Sequence, residues 1–330
     1  MPSCKLDNCT IAKGGRCLEG LGASCPNLIP DSGESASTVA SSTAAETSEP
    51  TQTAFEPLPG IAPLEIAEAR NFSRRGPCMV ISLAGPRECG KTSLLARIHQ
   101  LFQAGSVLEF DFAGSQSLPR FEELNWLATV ESGASEPKMD RSSSQFDNSF
   151  LHLAVRSTET GKRTELLLND ITGETFKEAV ATRSACEKLI GLARADHLVI
   201  LVDGEALATP TLRGLQIGQT RDFIQRVLQS GQCGMHTAFH IVISKLDKLG
   251  GSELAADKMA AELSTLFQAS VGSLSFWRIA ARPMDGSYPT NDRIKELFST
   301  WVQTTYRYPK PPPSLVPQNT WARDFCRYGI

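Results

Sequence analysis

The apolar positions of this chain change rhythm at Met79. From there on, short β-branched apolar runs alternate with longer stretches in which apolar side chains recur every three or four residues. The short runs predict buried strands at Met79–Ala84, Phe150–Arg156, Glu165–Asn169, His197–Val202, Phe239–Ser244 and Leu274–Ala280. The longer stretches predict helices. The first is Lys91–Gln103, with Leu94, Leu95, Ile98 and Leu101 on one face, and the others are Thr175–Ala193, Thr211–Leu228, Glu253–Ala269 and Asp292–Tyr306. Six strands with helices between most of them imply an α/β fold of three layers, α/β/α, around a mostly parallel six-stranded sheet covered on both faces. Pro309-Lys-Pro-Pro-Pro313 ends the last helix, since proline lacks the N–H and clashes with the preceding turn.

The stretch before Met79 has another texture. Residues 31–60 are nearly all Ser, Thr, Ala, Glu, Pro and Gly. Such a segment buries too little apolar surface to offset its ordering entropy, so 31–75 is predicted to be a disordered linker, with a short amphipathic helix within 61–75. Residues 1–30 form a Cys- and Gly-containing head, 76–308 the α/β domain, and 309–330 a Pro-rich and aromatic tail suited to docking. The formal net charge of −3, without a long Lys/Arg run, argues against a dedicated nucleic-acid binder, which needs clustered cations. No apolar stretch approaches the ~18–20 residues of a membrane span. The opening Met-Pro-Ser-Cys-Lys lacks the apolar segment of a secretory signal, so the cytoplasm is the expected location.

Candidate chemistry starts at Gly85-Pro-Arg-Glu-Cys-Gly-Lys-Thr92, which fits G-x-x-x-x-G-K-[ST] between a predicted strand and a predicted helix. In such a loop, backbone N–H groups over Gly85, Glu88, Cys89, Gly90, Lys91, Thr92 and Ser93 converge on phosphate oxygens. Glycines let the backbone turn and approach the anion closely. Lys91 places a cation on the β- and γ-phosphates, and Thr92 offers a hydroxyl to Mg²⁺. Downstream, Asp170-Ile-Thr-Gly173 follows a predicted strand. An Asp there can hold Mg²⁺ through water, and Gly173 can present its N–H to the γ-phosphate.

Ser244-Lys-Leu-Asp247 and Ala280-Ala-Arg282 each follow a predicted strand. The first resembles the [NT]-K-x-D element of Ras-like (TRAFAC-class) P-loop GTPases, and the second resembles their S-A-K element. The resemblance covers about residues 77–308. It implies GTP/GDP with Mg²⁺ as cofactors. It also implies that Asp247 accepts hydrogen bonds from guanine N1–H and the 2-amino group, with Lys245 along the ring plane. The Ala281 N–H would meet guanine O6, and Arg282 would stack on the base. Ser244 stands where the family has Asn or Thr, and its shorter side chain predicts a weaker brace to the phosphate loop. The phosphate loop and the Phe150-Leu-His-Leu153 strand are similar to bacterial double-GTPase-type domains of phage-defence or conflict systems. By that likeness, partners include a second GTPase-like chain, effectors or regulators.

The pattern also departs from the family. The long segment 105–149 should hold the first switch, yet no single Thr stands out; Ser142 is the candidate Mg²⁺ contact. Phe110, Phe112, Phe121 and Trp126 in this segment are expected to pack it onto the body, or to form a partner surface. Glu174 follows Gly173 where many relatives have a water-orienting Gln. Arg87 fills a loop position where small Ras proteins have Gly. Lys91, Glu174 and Arg87 are therefore the candidate catalytic residues, and slow, partner-regulated hydrolysis is expected. Two other readings stay open: a module that binds GTP and barely turns it over, and an ATP-using P-loop enzyme, which Asp247 argues against.

Four of the nine cysteines, Cys4, Cys9, Cys17 and Cys25, fall in the first 25 residues. Four thiolates suit a structural Zn²⁺, whose binding contributes roughly 10–16 kcal/mol in small peptides. Free cysteines, disulfides or an Fe–S centre are the alternatives. His99, His152, His197, His236 and His240 show no site-like spacing and read as structural.

Overall fold

A computed structural model describes residues 3–4, 28–29, 62–126, 147–283 and 291–303. The chain divides into two units, Met1–Glu56 and Pro57–Ile330. In the first, β1 (Ser3–Cys4) and β2 (Leu28–Ile29) pair antiparallel, with Cys4 opposite Leu28. The expected disordered linker lies largely outside the described residues.

In the second unit the strands are β3 (Cys78–Ala84), β4 (Phe110–Gly114), β5 (Leu151–Ser157), β6 (Arg163–Asp170), β7 (His197–Asp203), β8 (Ala238–Ser244) and β9 (Ser273–Arg278). They form one seven-stranded sheet in the order β4-β5-β6-β3-β7-β8-β9. The pairs β6–β3, β3–β7, β7–β8 and β8–β9 are parallel, whereas β4–β5 and β5–β6 are antiparallel. The central strands β3, β7 and β8 are buried along almost their whole length and are mostly apolar, as a sheet covered on both faces requires. Along β3, Ile81 and Leu83 enter one core while Ala84 enters the other.

Two helical layers close these cores. On one face lie α2 (Lys91–Ala104), α3 (Leu118–Trp126) and α10 (Asn291–Gln303), burying Leu94, Leu95, Phe121, Phe298 and Trp301. The opposite core includes Phe176, Leu207, Phe223, Ile224 and Met259 from α4 (Gly173–Ala181), α7 (Gly204–Ala208), α8 (Pro210–Ser230) and α9 (Glu253–Phe267). The expected short helix is α1 (Ile66–Arg75), opened by a capping box between Glu65 and Glu68. Its Ala69 packs with Val80 and Leu167.

The sheet has a seventh strand, where the sequence predicts six. The extra strand β4 lies at the edge, and only Phe110 of its five residues is buried, so it carries little periodic apolar signal. Phe110 and Phe121 pack inward as expected, whereas Phe112 and Trp126 are 39% and 56% exposed. The single helix predicted for Thr175–Ala193 is three: α4, α5 (Arg183–Glu187) and α6 (Ile190–Ala193). Thr182 and Leu189 take extended backbone and break it. The break lets Gly191 reach Asn169, where a Cβ would lie 2.3 Å from Oδ1.

Two of the histidines buried in the sheet lie side by side. His197 Nδ1 lies 2.9 Å from His240 Nε2, and His240 Nδ1 lies 2.8 Å from Ser275 Oγ. Burial pushes His197 down to about 4. Burial, then the field of His197, pushes His240 down to about 3. In the unfolded chain both take protons near pH ~6.5. Between that pH and the folded values the unfolded state holds more protons. Their contribution is therefore complete above pH ~6.5 and declines as pH falls toward 4, by about 3 kcal/mol for His197. Urea unfolding at pH 7 and pH 4.5 should show this slope, and His197→Gln/His240→Gln should flatten it. An unchanged slope in the double variant would contradict the assignment.

Candidate functional site

The carboxyl ends of β3, β6, β7 and β8 converge at one edge of the sheet, with the first turn of α2 among them. The chain leaving β3 turns through Gly85 at φ 153°, Glu88 at φ 63° and Gly90 at φ 91°, values that side-chain-bearing residues seldom adopt. A Cβ on Gly85 would lie 2.7 Å from the Leu201 carbonyl oxygen and 2.8 Å from Cys89 Sγ. Cys89 is fully buried, and that burial pushes its thiol up.

Lys91, 7% exposed, donates through Nζ to the carbonyls of Gly85 at 2.9 Å and Pro86 at 3.1 Å. Among the described residues no carboxylate pairs with it. A buried cation held only by dipoles is poorly compensated, and an anion entering the loop would supply the missing charge. Thr92 Oγ1 donates to Asp170 Oδ2 at 2.9 Å, bringing together two hard oxygen donors of the kind Mg²⁺ takes. Ser93 follows on α2, partly buried.

Gly173 opens α4 directly on the phosphate loop: a Cβ there would lie 2.5 Å from the Arg87 backbone nitrogen. Any other residue would push the two loops apart. Glu174 Oε1 sits 4.0 Å from Arg87 Nη1, and Arg87 Nε is also 4.0 Å from Glu88 Oε1. Arg87 is half exposed and Glu174 more so, so this pair contributes about 0–1 kcal/mol and separates easily.

The base-reading candidates sit on the same edge. Ser244 Oγ donates to the Cys89 carbonyl at 2.7 Å. The shorter brace reaches because the backbones are close: a Cβ on Gly90 would lie 3.7 Å from Ser244 Cβ. Lys245, at φ 47°, pairs through Nζ with Asp203 at 2.7 Å and with Glu205 at 3.5 Å. Burial alone would lower its pKa, but these two carboxylates outweigh it and the net shift is upward. Asp247 lies in the 3-10 turn Leu246–Lys248, partly buried and without a side-chain partner among the described residues.

Leu246 N–H donates to the Ile279 carbonyl at 3.0 Å, and Ile279 N–H donates to the Ile243 carbonyl at 2.9 Å. These bonds fasten the Asp247 turn to the Ala280-Ala281-Arg282 loop. Arg282 Nη2 is buried with no hydrogen-bond partner among the described residues, and burial followed by the Arg97 cation pulls its pKa down.

The structure thus gathers Gly85, Lys91, Thr92, Asp170 and Gly173 around the phosphate loop, and ties Lys245 and Asp247 to it through Ser244. Ser142, Cys9, Cys17 and Cys25 lie outside the described residues, and of Cys4 only the backbone is described. Sequence reasoning missed Asp203 and Glu205, whose pairing with Lys245 spans 42 and 40 residues. It also missed a cavity of about 40 Å³ beside Thr92 and Asp170, lined in part by Arg120 and Ser149. Arg120 sits on α3, and no motif marks it.

Fold and site together define a P-loop protein of the GTPase type. The family model described as Double-GTPase 2 matches residues 79–302, and the chain belongs to that family. Among solved structures, it is similar to the bacterial selenocysteine-specific elongation factor EF-Sec at 17% identity and a TM-score of 0.36, over 68% of this chain and 29% of that one. It is also similar to the signal recognition particle receptor SRb-GTP/SRX complex from Chaetomium thermophilum at 16% identity and a TM-score of 0.39, over 68% of this chain and 97% of that one. No curated protein matches. No helix among the described residues is long and apolar enough to cross a membrane.

Proposed function

We propose that this protein binds GTP with Mg²⁺ and hydrolyses it slowly to GDP and phosphate as a partner-regulated switch. The observation that carries the reading is the Ser244 hydroxyl on the Cys89 carbonyl, which makes the base loop and the phosphate loop one site. In this reading Lys91 turns from the loop carbonyls to the β- and γ-phosphates. Backbone N–H groups from Glu88 to Ser93 hold the remaining oxygens. Thr92 and Asp170 hold Mg²⁺, with Ser142 as the proposed first-switch contact. Bound Mg²⁺ would neutralise charge on the phosphate oxygens. Asp247 reads guanine, the Ala281 N–H meets O6, and Arg282 stacks on the base.

Glu174 orients the attacking water once it leaves Arg87, and Arg87 then faces the phosphates. Single-turnover hydrolysis tests this. Glu174→Ala should slow the step by on the order of 10²-fold, with GTP affinity changed less than about threefold. Unchanged rates in both Glu174→Ala and Arg87→Ala would remove both side chains from the chemistry. One observation favours a second reading, a GTP-dependent interaction module that barely turns over: the Arg87–Glu174 pair engages the two candidate catalytic side chains with each other.

The wider proposal follows the sequence. The head 1–30 binds Zn²⁺ through Cys4, Cys9, Cys17 and Cys25, residues 31–75 link it to the domain 76–308, and the tail 309–330 docks partners. A cytoplasmic setting in a bacterial conflict or defence system, with a second GTPase-like chain among the partners, rests on the resemblance. Metal analysis of the full chain should find one zinc per protein, lost in Cys9→Ser/Cys17→Ser. Absence of zinc from the purified chain would end the metal reading.

A further inference from the structure

Asp147 is a carboxylate only 6% exposed. Its Oδ1 accepts the Thr172 N–H at 2.8 Å, and its Oδ2 accepts the Thr175 hydroxyl. Its carbonyl accepts from Asn169 Nδ2 at 2.7 Å, and the same amide donates to the Ser149 carbonyl at 2.9 Å. The loop Asp170–Gly173 is thus gripped on both sides by residues 147–149, which lead into β5. Asn169 precedes the loop; Thr172 and Thr175 bracket its end. Asn169 is fully buried, and Gly191 lies so close to Oδ1 that the amide has no room to swing away.

A plain helix cap does not account for this carboxylate. The N-cap of α4 is Thr172, whose own hydroxyl accepts the Thr175 N–H at 3.2 Å. Asp147 is a second acceptor, brought from 25 residues away in the chain and desolvated on arrival. A buried charge is costly unless its hydrogen bonds are well made, and these are directed at the backbone next to Gly173. Gly173 in turn rests on the Arg87 backbone with no room for a Cβ. A shift of a few tenths of an ångström at Thr172 is therefore transmitted to the Gly173 N–H.

We propose that Asp147 is a positioning residue for γ-phosphate recognition: through Thr172 and Thr175 it sets the Gly173 N–H, and so gives the site its preference for GTP over GDP. The inference rests on the nucleotide reading above. Only the triphosphate has a γ-phosphate, so the two nucleotides separate this role from general support of the fold.

The test is the dissociation constant of the full chain for a non-hydrolysable GTP analogue and for GDP, each with Mg²⁺. Asp147→Ala should weaken the analogue about tenfold and GDP less than about twofold, because one oriented, charge-supported contact is lost. Asp147→Asn, which keeps an acceptor for Thr172, should fall between. Thr175→Val removes only a partly buried hydroxyl and should raise the ratio of the analogue's dissociation constant to that of GDP about threefold. It reads the same role should Asp147→Ala not fold. An unchanged ratio, or an equal loss for both nucleotides in Thr175→Val and Asp147→Asn, would overturn the proposal. Wild-type protein that binds neither nucleotide would overturn the site reading instead, and this role with it.

Discussion

Asp247→Asn is expected to move base preference from guanine toward xanthine, with GTP affinity lowered by about 10³-fold. A carboxylate offers two acceptors, which match the N1–H and 2-amino donors of guanine. An amide offers one acceptor and one donor, so its donor would face the 2-amino group. Xanthine carries a carbonyl at that position and restores the match. The turn that holds residue 247 is fixed by the backbone bond from Leu246 to Ile279, which the substitution leaves alone. Asp247 has no side-chain partner among the described residues, so stability should change by less than about 0.5 kcal/mol. Competition of GTP and XTP for the variant checks this; retained GTP preference would remove Asp247 as the base reader.

Lys91→Ala is the second large effect. Among the described residues its buried ammonium is hydrogen-bonded by carbonyl dipoles and the Cys89 sulfur, at 3.9 Å. In the free protein this is an under-compensated charge, so its removal should leave the melting temperature equal or higher. With nucleotide the sign reverses. Loss of a desolvated charge pair with the phosphates should weaken GTP by on the order of 10²–10³-fold. The melting-temperature rise that saturating GTP gives the wild type should then vanish. A rise of wild-type size in Lys91→Ala would place the phosphates elsewhere.

What the sequence discloses here depends on how local the causes are. The phosphate loop is legible because its glycines, cation and hydroxyl lie within eight consecutive residues, Gly85 to Thr92. The central strands are legible because burial on both faces leaves continuous apolar runs. The edge strand β4 is not, since half-exposed Phe-Asp-Phe-Ala-Gly looks like any polar loop with aromatics. The break of the helix after Gly173 is set by what Gly191 must touch, which no local pattern records. The same holds for the site: Ser244, Lys245 and Asp247 stand in one motif, but Asp203 and Glu205, which hold Lys245, arrive from another strand end. Asp147 is the extreme case. It is a lone Asp in a polar stretch, and its importance comes wholly from Thr172, Thr175 and Asn169, which the sheet brings to it.

The proposed function requires guanine recognition joined to the phosphate loop. Its most direct test is competition between GTP and ATP for the full wild-type chain in Mg²⁺, read by displacement of a fluorescent GDP analogue. A base site built on a partly buried acceptor for two donors should favour GTP by roughly 10⁴-fold. Equal displacement by the two nucleotides, or preference for ATP, would contradict it.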